Sequence, residues 1–368
     1  NIDNCNDALP QGQKDLGLEV KQSNLCSEIT LPTNDERTAV CCLSSVNLEH
    51  FDEWSKDDKF IDDLVTMLDN VLEHFIENAV DLNSLGGYNA NYERFKKHIK
   101  EGKEGFTKAA YSAYRERSIG LGAMGFHSYL QNQNIPFEGI FSTGINYKLF
   151  KFIKGAAVLA SRRLAVLRGE APDISNSGLR NCHLLAVAPN ASSSIICGGT
   201  SPSIEPIRAN VFTHKTLSGS YKVKNKNLEK LINKKVTDPK KRKKVWQDIS
   251  DNRGSIQELK LFTKEEKEVF KTADEINQIW VVEHAYKRQE FICQSQSVNL
   301  FFILPDSSQN QEQHNEYLQY VSDVHWYGAN KLKSLYYFRS DAAKAAENVN
   351  IKVPRIKLDE VECIACEG

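Results

Sequence analysis

No apolar run in the 368 residues approaches the roughly 20 consecutive apolar positions that a membrane-spanning helix needs, so no membrane partner is expected. An excess of charge of either sign is also missing. The 47 Lys and Arg stand against 48 Asp and Glu, a formal net charge of -1, so no global field recruits nucleic acid or an anionic surface. The opening Asn1-Ile2-Asp3-Asn4-Cys5 has no initiator Met and no basic segment leading into an apolar one, so a secretory signal is not expected. A disulfide framework is lacking as well. The 9 cysteines, at 5, 26, 41, 42, 182, 197, 293, 363 and 366, are odd in number and widely spaced. That pattern fits a reducing, cytoplasmic setting in which a few thiols do redox work. No second Cys or His pair is spaced to complete a zinc site with Cys363 and Cys366, so no metal is expected and the pair is read as an exchanging dithiol.

What is present is organised around Asn24-Leu25-Cys26-Ser27-Glu28. In extended backbone, side chains two apart share a face, so an amide, a thiol and a carboxylate would point the same way. A straight strand would still spread Asn24 and Glu28 by roughly 13 Å, so all three reach one small molecule only if the chain bends at Cys26. The stretch is therefore expected to be the tip of a loop carrying a nucleophilic or radical cysteine. A buried cysteine in an edge strand is the bland alternative.

Elsewhere the pattern alternates apolar runs with amphipathic helices. Thr38–Leu43 reads as a strand, and the segments around 26 and 41 as neighbouring strands. Residues 57–79 show helical periodicity with Phe60, Leu64, Met67, Leu68, Val71, Leu72 and Phe75 on the core face. A charged helix over Tyr92–Lys100 is expected to turn at Gly102 and Gly105. Gly120, Gly122 and Gly125 match a dinucleotide fingerprint, but Tyr114–Arg117 is a poor buried strand, so a close-packing glycine turn is expected instead. A helix over 146–168 should stop at Gly169. His183–Ala188 reads as a buried strand entering the hydroxyl-rich loop Pro189-Asn190-Ala191-Ser192-Ser193-Ser194, suited either to a phosphate or to simple helix capping. Ser295–Ile303 reads as a strand, 310–332 as a helix, and Leu335–Phe338 as a short strand. Its adjacent Tyr336 and Tyr337 share a face only if the backbone bends. Lys240–Lys244 reads as a solvated helix face rather than a nucleic-acid patch. The expected organisation is 1–206, a smaller α+β insert over 207–290, closing strands over 291–339, and a flexible tail over 340–368.

In this order the pieces resemble the large, catalytic subunit of class I ribonucleotide reductases, in the form found in large tailed bacteriophages and their bacterial relatives. The resemblance is clearest at Asn24–Glu28, Ala39-Val40-Cys41, Gly120-Leu121-Gly122, Pro189–Ser194, Leu335-Tyr336-Tyr337 and the tail dithiol, and weakest over 210–290. It implies an α/β fold, here the C-terminal portion of a ten-stranded α/β barrel with a central finger loop. It implies a thiyl radical on Cys26, a general base at Glu28, ribose hydrogen bonds from Asn24, and Cys41 as one of two reducing thiols. Tyr336 and Tyr337 would pass the oxidising equivalent from a small subunit whose di-metal centre and tyrosyl radical start the reaction; this chain itself would hold no cofactor. Leu43 and Pro189, Asn190, Ala191, Ser192, Ser193 and Ser194 would line the ribonucleoside diphosphate, although the family often has an acidic residue where Ala191 stands. Cys363 and Cys366, more closely spaced than in some members, would be reduced by thioredoxin or glutaredoxin. The partner of Cys41 and the effector sites belong to an N-terminal half that is expected as a second polypeptide. A coenzyme-B12-dependent reductase, a nicotinamide dehydrogenase on the glycines, and a non-enzymatic nucleic-acid-binding protein are the competing expectations.

Overall fold

A computed structural model describes residues 1–79, 104–216, 219–303 and 311–340. The residues expected as a helix over Tyr92–Lys100, Gly102, and the tail with Cys363 and Cys366 lie outside the described residues. Six strands are present among the described residues: β1 (Cys42–Asn47), β2 (Ile119–Met124), β3 (Val211–Thr216), β4 (Gly219–Lys224), β5 (Leu300–Phe302) and β6 (Phe338–Ser340).

The core is a run of parallel segments in chain order. β1 pairs with β2 from Cys42↔Ile119 to Asn47↔Met124. On the other side of β2 lies the extended stretch 183–187, where Leu121 N–H donates to Leu184 O at 2.8 Å and Ala186 N–H to Leu121 O at 3.3 Å. That stretch bonds in turn to 294–297, through Val187 N–H to Ser295 O (3.1 Å) and Ser297 N–H to Val187 O (2.9 Å). The chain continues into β5, which pairs with β6 from Leu300↔Phe338. Five parallel segments thus stand side by side, and among the described residues the outer edges of β1 and β6 are unpaired. Parallel pairs need long crossovers, and the helices supply them.

β2 explains the glycines. Its sequence Ile-Gly-Leu-Gly-Ala-Met is buried throughout, as parallel strands covered on both faces are. A Cβ on Gly122 would lie 2.6 Å from the Ala186 carbonyl oxygen, and one on Gly120 would lie 2.3 Å from Leu43 and 3.2 Å from the Cys41 sulfur. The close packing expected of these glycines is therefore real, but Gly120 and Gly122 sit inside a strand, and the expected turn is found at Gly125, whose φ of +82° leads into the helix Phe126–Asn132. Similarly, Gly105 lies within the helix Glu104–Glu116, and the strand expected at Thr38–Leu43 begins only at Cys42 and runs on through Ser44 and Ser45. Serines serve here because Ser45 reaches across to Asn190 (3.1 Å). The segment around Cys26 is not a strand beside Cys41 but a turn.

The helix Phe60–Ala79 packs on β1, β2 and the long helix Ile140–Arg168. Its buried stripe is Ile61, Val65, Leu68, Leu72 and Ile76, whereas Met67 and Val71 are 44 % and 49 % exposed. The expected face is thus rotated by about one position: the i, i+4, i+7 repeat starting at Ile61, not that starting at Phe60, meets the sheet. Its buried Asp69 accepts from Arg168 (2.6 Å) and Arg180 (3.2 Å), tying the helix to the chain that enters the third segment. The helix Ile140–Arg168 ends at Gly169, whose φ of +86° stops it as expected.

The hairpin β3–β4 and the helices Lys226–Lys235, Pro239–Asp251 and Lys264–Val269 enclose a second core of Val211, Leu228, Ile232, Trp246, Ile249 and Phe270. Lys240, Lys241, Lys243 and Lys244 are exposed on the helix Pro239–Asp251, a solvated face. The helix Gln278–Gln289 belongs instead to the main core, through Val281, Val282 and Ala285.

This packing has measurable consequences. Gly122→Ala pushes against a backbone carbonyl that has no room to move, so it should cost about 1–3 kcal/mol of stability, read as a lower urea midpoint. The buried His284 is held neutral, with its pKa lowered to about 4 by burial, and His127 is lowered to about 3 for the same reason. An unfolded histidine titrates near 6.5, so the stability these groups contribute is complete above that pH and is lost as pH falls through it. Glu116 and Glu205, raised by burial to about 7, act in the opposite sense, so the histidine share shows only against a variant. The stability gap between wild type and His284→Gln should shrink by about 2 kcal/mol between pH 8 and pH 5 in denaturant titrations.

Candidate active site

The finger loop is a tight turn. Ser27 N–H donates to Asn24 O (3.1 Å), and Ser27 takes a left-handed φ of +64°. Asn24 Oδ1 accepts from Ile29 N–H at 3.0 Å, which closes the base of the turn. The bend needed at Cys26 is therefore present. It buries Cys26 and Glu28 while leaving Asn24 and Leu25 exposed.

Two strands hold the turn. Ser295 N–H donates to Glu28 O (2.9 Å), and the Ser297 hydroxyl lies within hydrogen-bonding reach of both the Cys26 carbonyl and Glu28 Oε2, the latter at 3.1 Å. The Ser334 hydroxyl donates to Ser27 O at 2.9 Å. Neither Ser297 nor Ser334 stands out in the sequence read by itself. A signal exists nonetheless: Gln294-Ser295-Gln296-Ser297 is a polar run in a strand, and all four residues are fully buried. Buried polar side chains need partners, so such a run marks a site the chain builds inward.

Cys26 Sγ lies 3.4 Å from the Tyr336 hydroxyl oxygen. The Tyr336 and Tyr337 ring centroids are 3.9 Å apart with planes 32° apart, so the backbone does bend there and both rings share a side. Burial, followed by the contacts with Cys26 and Tyr337, drives the Tyr336 pKa upward, so the phenol keeps its proton. Sulfur, phenol and second phenol form a continuous line from the loop tip toward the surface, where Tyr337 is 37 % exposed.

Cys41 meets the same buried segment. Gln294 Nε2 donates to its sulfur at 3.1 Å, while the neighbouring Ser295 holds the finger loop. Burial pushes the Cys41 thiol well up, and Gln294 lowers it only in part. Cys42 faces the other way and packs against the main core. Leu43 is 40 % exposed.

The hydroxyl-rich loop follows the third segment. Asn190 takes a φ of +55° and opens the short helix Ala191–Ile196. Ser192 and Ser193 are exposed in its first turn, where backbone N–H groups have no intrahelical partner. Ser194 is buried and gives its hydroxyl to Ala191 O (2.9 Å). Pro189 links the buried stretch 183–187 to Asn190, and both residues are half-buried. All seven cysteines among the described residues are free. Among the described residues there is no cluster of three or more His, Cys, Asp or Glu placed for a metal, and no helix long and apolar enough to cross a membrane.

Comparison with known proteins agrees with this architecture. The family model described as "Ribonucleotide reductase, barrel domain" matches residues 1–174 and 170–338. The chain is 43% identical to the ribonucleoside-diphosphate reductase large subunit of Invertebrate iridescent virus 3 over 100% of its own length and 53% of the relative's. It is 40% identical to the putative large subunit of Frog virus 3, covering 100% of itself and 59% of that protein. The solved class Id ribonucleotide reductase alpha subunit of Actinobacillus ureae superposes with a TM-score of 0.74 at 36% identity, over 92% of this chain and 57% of that one. The chain spans about half the length of the curated relatives it matches. It is a member of the ribonucleotide reductase large-subunit family and carries the barrel portion found in the C-terminal half of those relatives.

Proposed function

We propose that this chain supplies the radical-bearing half of a catalytic centre that reduces ribonucleoside diphosphates to deoxyribonucleoside diphosphates. One observation carries the proposal: a buried thiol in contact with a phenol, itself stacked on a second phenol. A thiol can lose one electron and one proton together only if a partner takes both, and a neighbouring phenoxyl does so.

In the proposed sequence Tyr337 and Tyr336 pass the oxidising equivalent inward, and Cys26 becomes a thiyl radical as Tyr336 regains its hydrogen. The thiyl takes the 3'-hydrogen of the ribose. Glu28, oriented by Ser297, accepts the 3'-hydroxyl proton, and the 2'-hydroxyl leaves as water once protonated. Cys41 and a second thiol together give two electrons and two protons, ending as a disulfide. The 3'-hydrogen then returns from Cys26. A protonated Cys41 suits this step, because it must deliver hydrogen and not act as a nucleophile. The exposed first turn at Ala191, Ser192 and Ser193 would meet the diphosphate, with Pro189 and Asn190 shaping its entry and Ser194 bracing it. Leu43 would border the substrate, and Asn24, bonded now to its own loop, would turn to the ribose hydroxyls on binding.

The second thiol is assigned to an N-terminal half, which would also pair the open edges of β1 and β6; an uncovered parallel edge is an association hazard. The oxidising equivalent is assigned to a separate small subunit with a di-metal centre and tyrosyl radical, so no cofactor is held by this chain. Cys363 and Cys366 would reduce the Cys41 disulfide and be reset by thioredoxin or glutaredoxin. Free thiols throughout the described residues suit a reducing cytoplasm, that of the host if the gene is phage-borne. The tyrosine pair favours a protein radical source over adenosylcobalamin.

Turnover tests these assignments. With the N-terminal half and small subunit supplied, Tyr336→Phe should lower CDP reduction at least about a thousandfold, roughly 4 kcal/mol of barrier, with unchanged folding. Cys41→Ser should block formation of deoxynucleotide while leaving the radical on the small subunit able to decay on substrate addition. This chain with the small subunit alone should not reduce CDP; turnover under those conditions would refute the split-site reading.

A further inference from the structure

The tyrosine pair poses a problem that the rest of the site does not solve. Adjacent residues in a strand face opposite ways, and a one-residue slip exchanges the faces. If the regular parallel ladder at Leu300↔Phe338 ran back one step, the N–H and C=O of Tyr337 alone would bond to Val298 and Leu300. Leu300 N–H does donate to Tyr337 O (3.0 Å), but Val298 O receives the N–H of Tyr336 (2.9 Å). Two residues therefore stand where the ladder has room for one, a bulge in the sense used for strands. The surplus N–H, that of Tyr337, goes to the side chain of Asn299, at 3.2 Å from Oδ1.

Asn299 is itself fixed. Its Nδ2 donates to Glu205 Oε1 at 2.5 Å, and both residues are buried. Above its raised pKa of about 7 Glu205 is a carboxylate and only accepts, so there it decides which end of the amide faces Tyr337. The Arg339 guanidinium covers the other flank, 4.5 Å from the Tyr337 ring centroid.

We propose that Asn299, oriented by Glu205, is the positioning residue that keeps Tyr336 and Tyr337 on one side of the strand, and so keeps Tyr336 against Cys26. The proposal rests on the functional reading above, in which that pair serves Cys26. Neither residue touches the reacting atoms. Without the Asn299 acceptor, the N–H of Tyr337 satisfies itself by taking Val298 O, the bulge anneals, and Tyr336 swings away from the sulfur.

The test uses the assembled enzyme, this chain with its N-terminal half and small subunit, and CDP as substrate. Asn299→Ala is expected to lower kcat on the order of 10²-fold, the scale of a displacement of about 1 Å, with KM essentially unchanged. In the same preparation, iodoacetamide should label Cys26 faster than in wild type, read by peptide mass spectrometry, because the phenol no longer shields the thiol. Assayed at pH 8.5, where Glu205 is ionised, Asn299→Asp faces it with no hydrogen to donate and should also lose kcat. The exchange Asn299→Asp with Glu205→Gln restores both a donor and an acceptor and should recover most of it. Retained kcat and retained Cys26 shielding in Asn299→Ala would overturn the proposal, as would a folded exchange variant no better than Asn299→Asp. If wild type fails to reduce CDP, the functional reading fails, whereas the Cys26 labelling still decides the clamp.

Discussion

Everything in the active site depends on a sulfur at residue 26 touching a phenol at residue 336, two atoms held 3.4 Å apart by parts of the chain 310 residues distant. Nothing local to either segment could secure that contact. The turn from Asn24 to Ser27 closes itself, but its aim comes from hydrogen bonds to Ser295, Ser297 and Ser334. Those serines stand on segments whose positions follow from the parallel ladder, and the ladder's tightness follows from Gly120 and Gly122. A contact between a thiol and a phenol is thus the last result of a packing order that begins with the absence of two Cβ atoms.

The division of labour between polar and apolar residues is unusual for a buried sheet. β2 and β5 are apolar, as covered parallel strands usually are. The stretch that leads into β5, Gln294–Ser297, is polar on both faces, and each of its side chains makes a hydrogen bond, although Gln294 Oε1 is left buried without a partner. Gln294 bonds toward Cys41 and Ile119, Ser295 toward Ser334, Gln296 toward Arg288 and Ala285, and Ser297 toward the finger. Directional hydrogen bonds inside a low-dielectric core fix geometry more sharply than packing does.

This contrast also explains what is legible in the sequence. The turn at Cys26 can be argued from spacing, because three functional groups two apart cannot converge without one. The stop at Gly169 and the solvated Lys240–Lys244 face follow from local rules and hold. The helix Phe60–Ala79 comes out rotated because two faces have similar apolar content and only the sheet chooses between Ile61 and Phe60. The glycines of β2 read as a turn because glycine lowers strand propensity, and the demand for close approach that overrides it is tertiary. Ser334 and Asn299 are invisible for the same reason: a lone polar residue carries no mark of the distant group it serves, whereas Ser297 shows only through the polar run that it closes.

The high proton affinity of Cys41 carries a consequence for the resting protein. Peroxides and disulfides attack or are attacked by thiolates, not thiols. Cys41, kept as S–H by burial and held by Gln294, is therefore a poor target for stray oxidants. In the proposed function this would keep the electrons of Cys41 in place the way a capped battery does, until a radical on the sugar draws hydrogen from it.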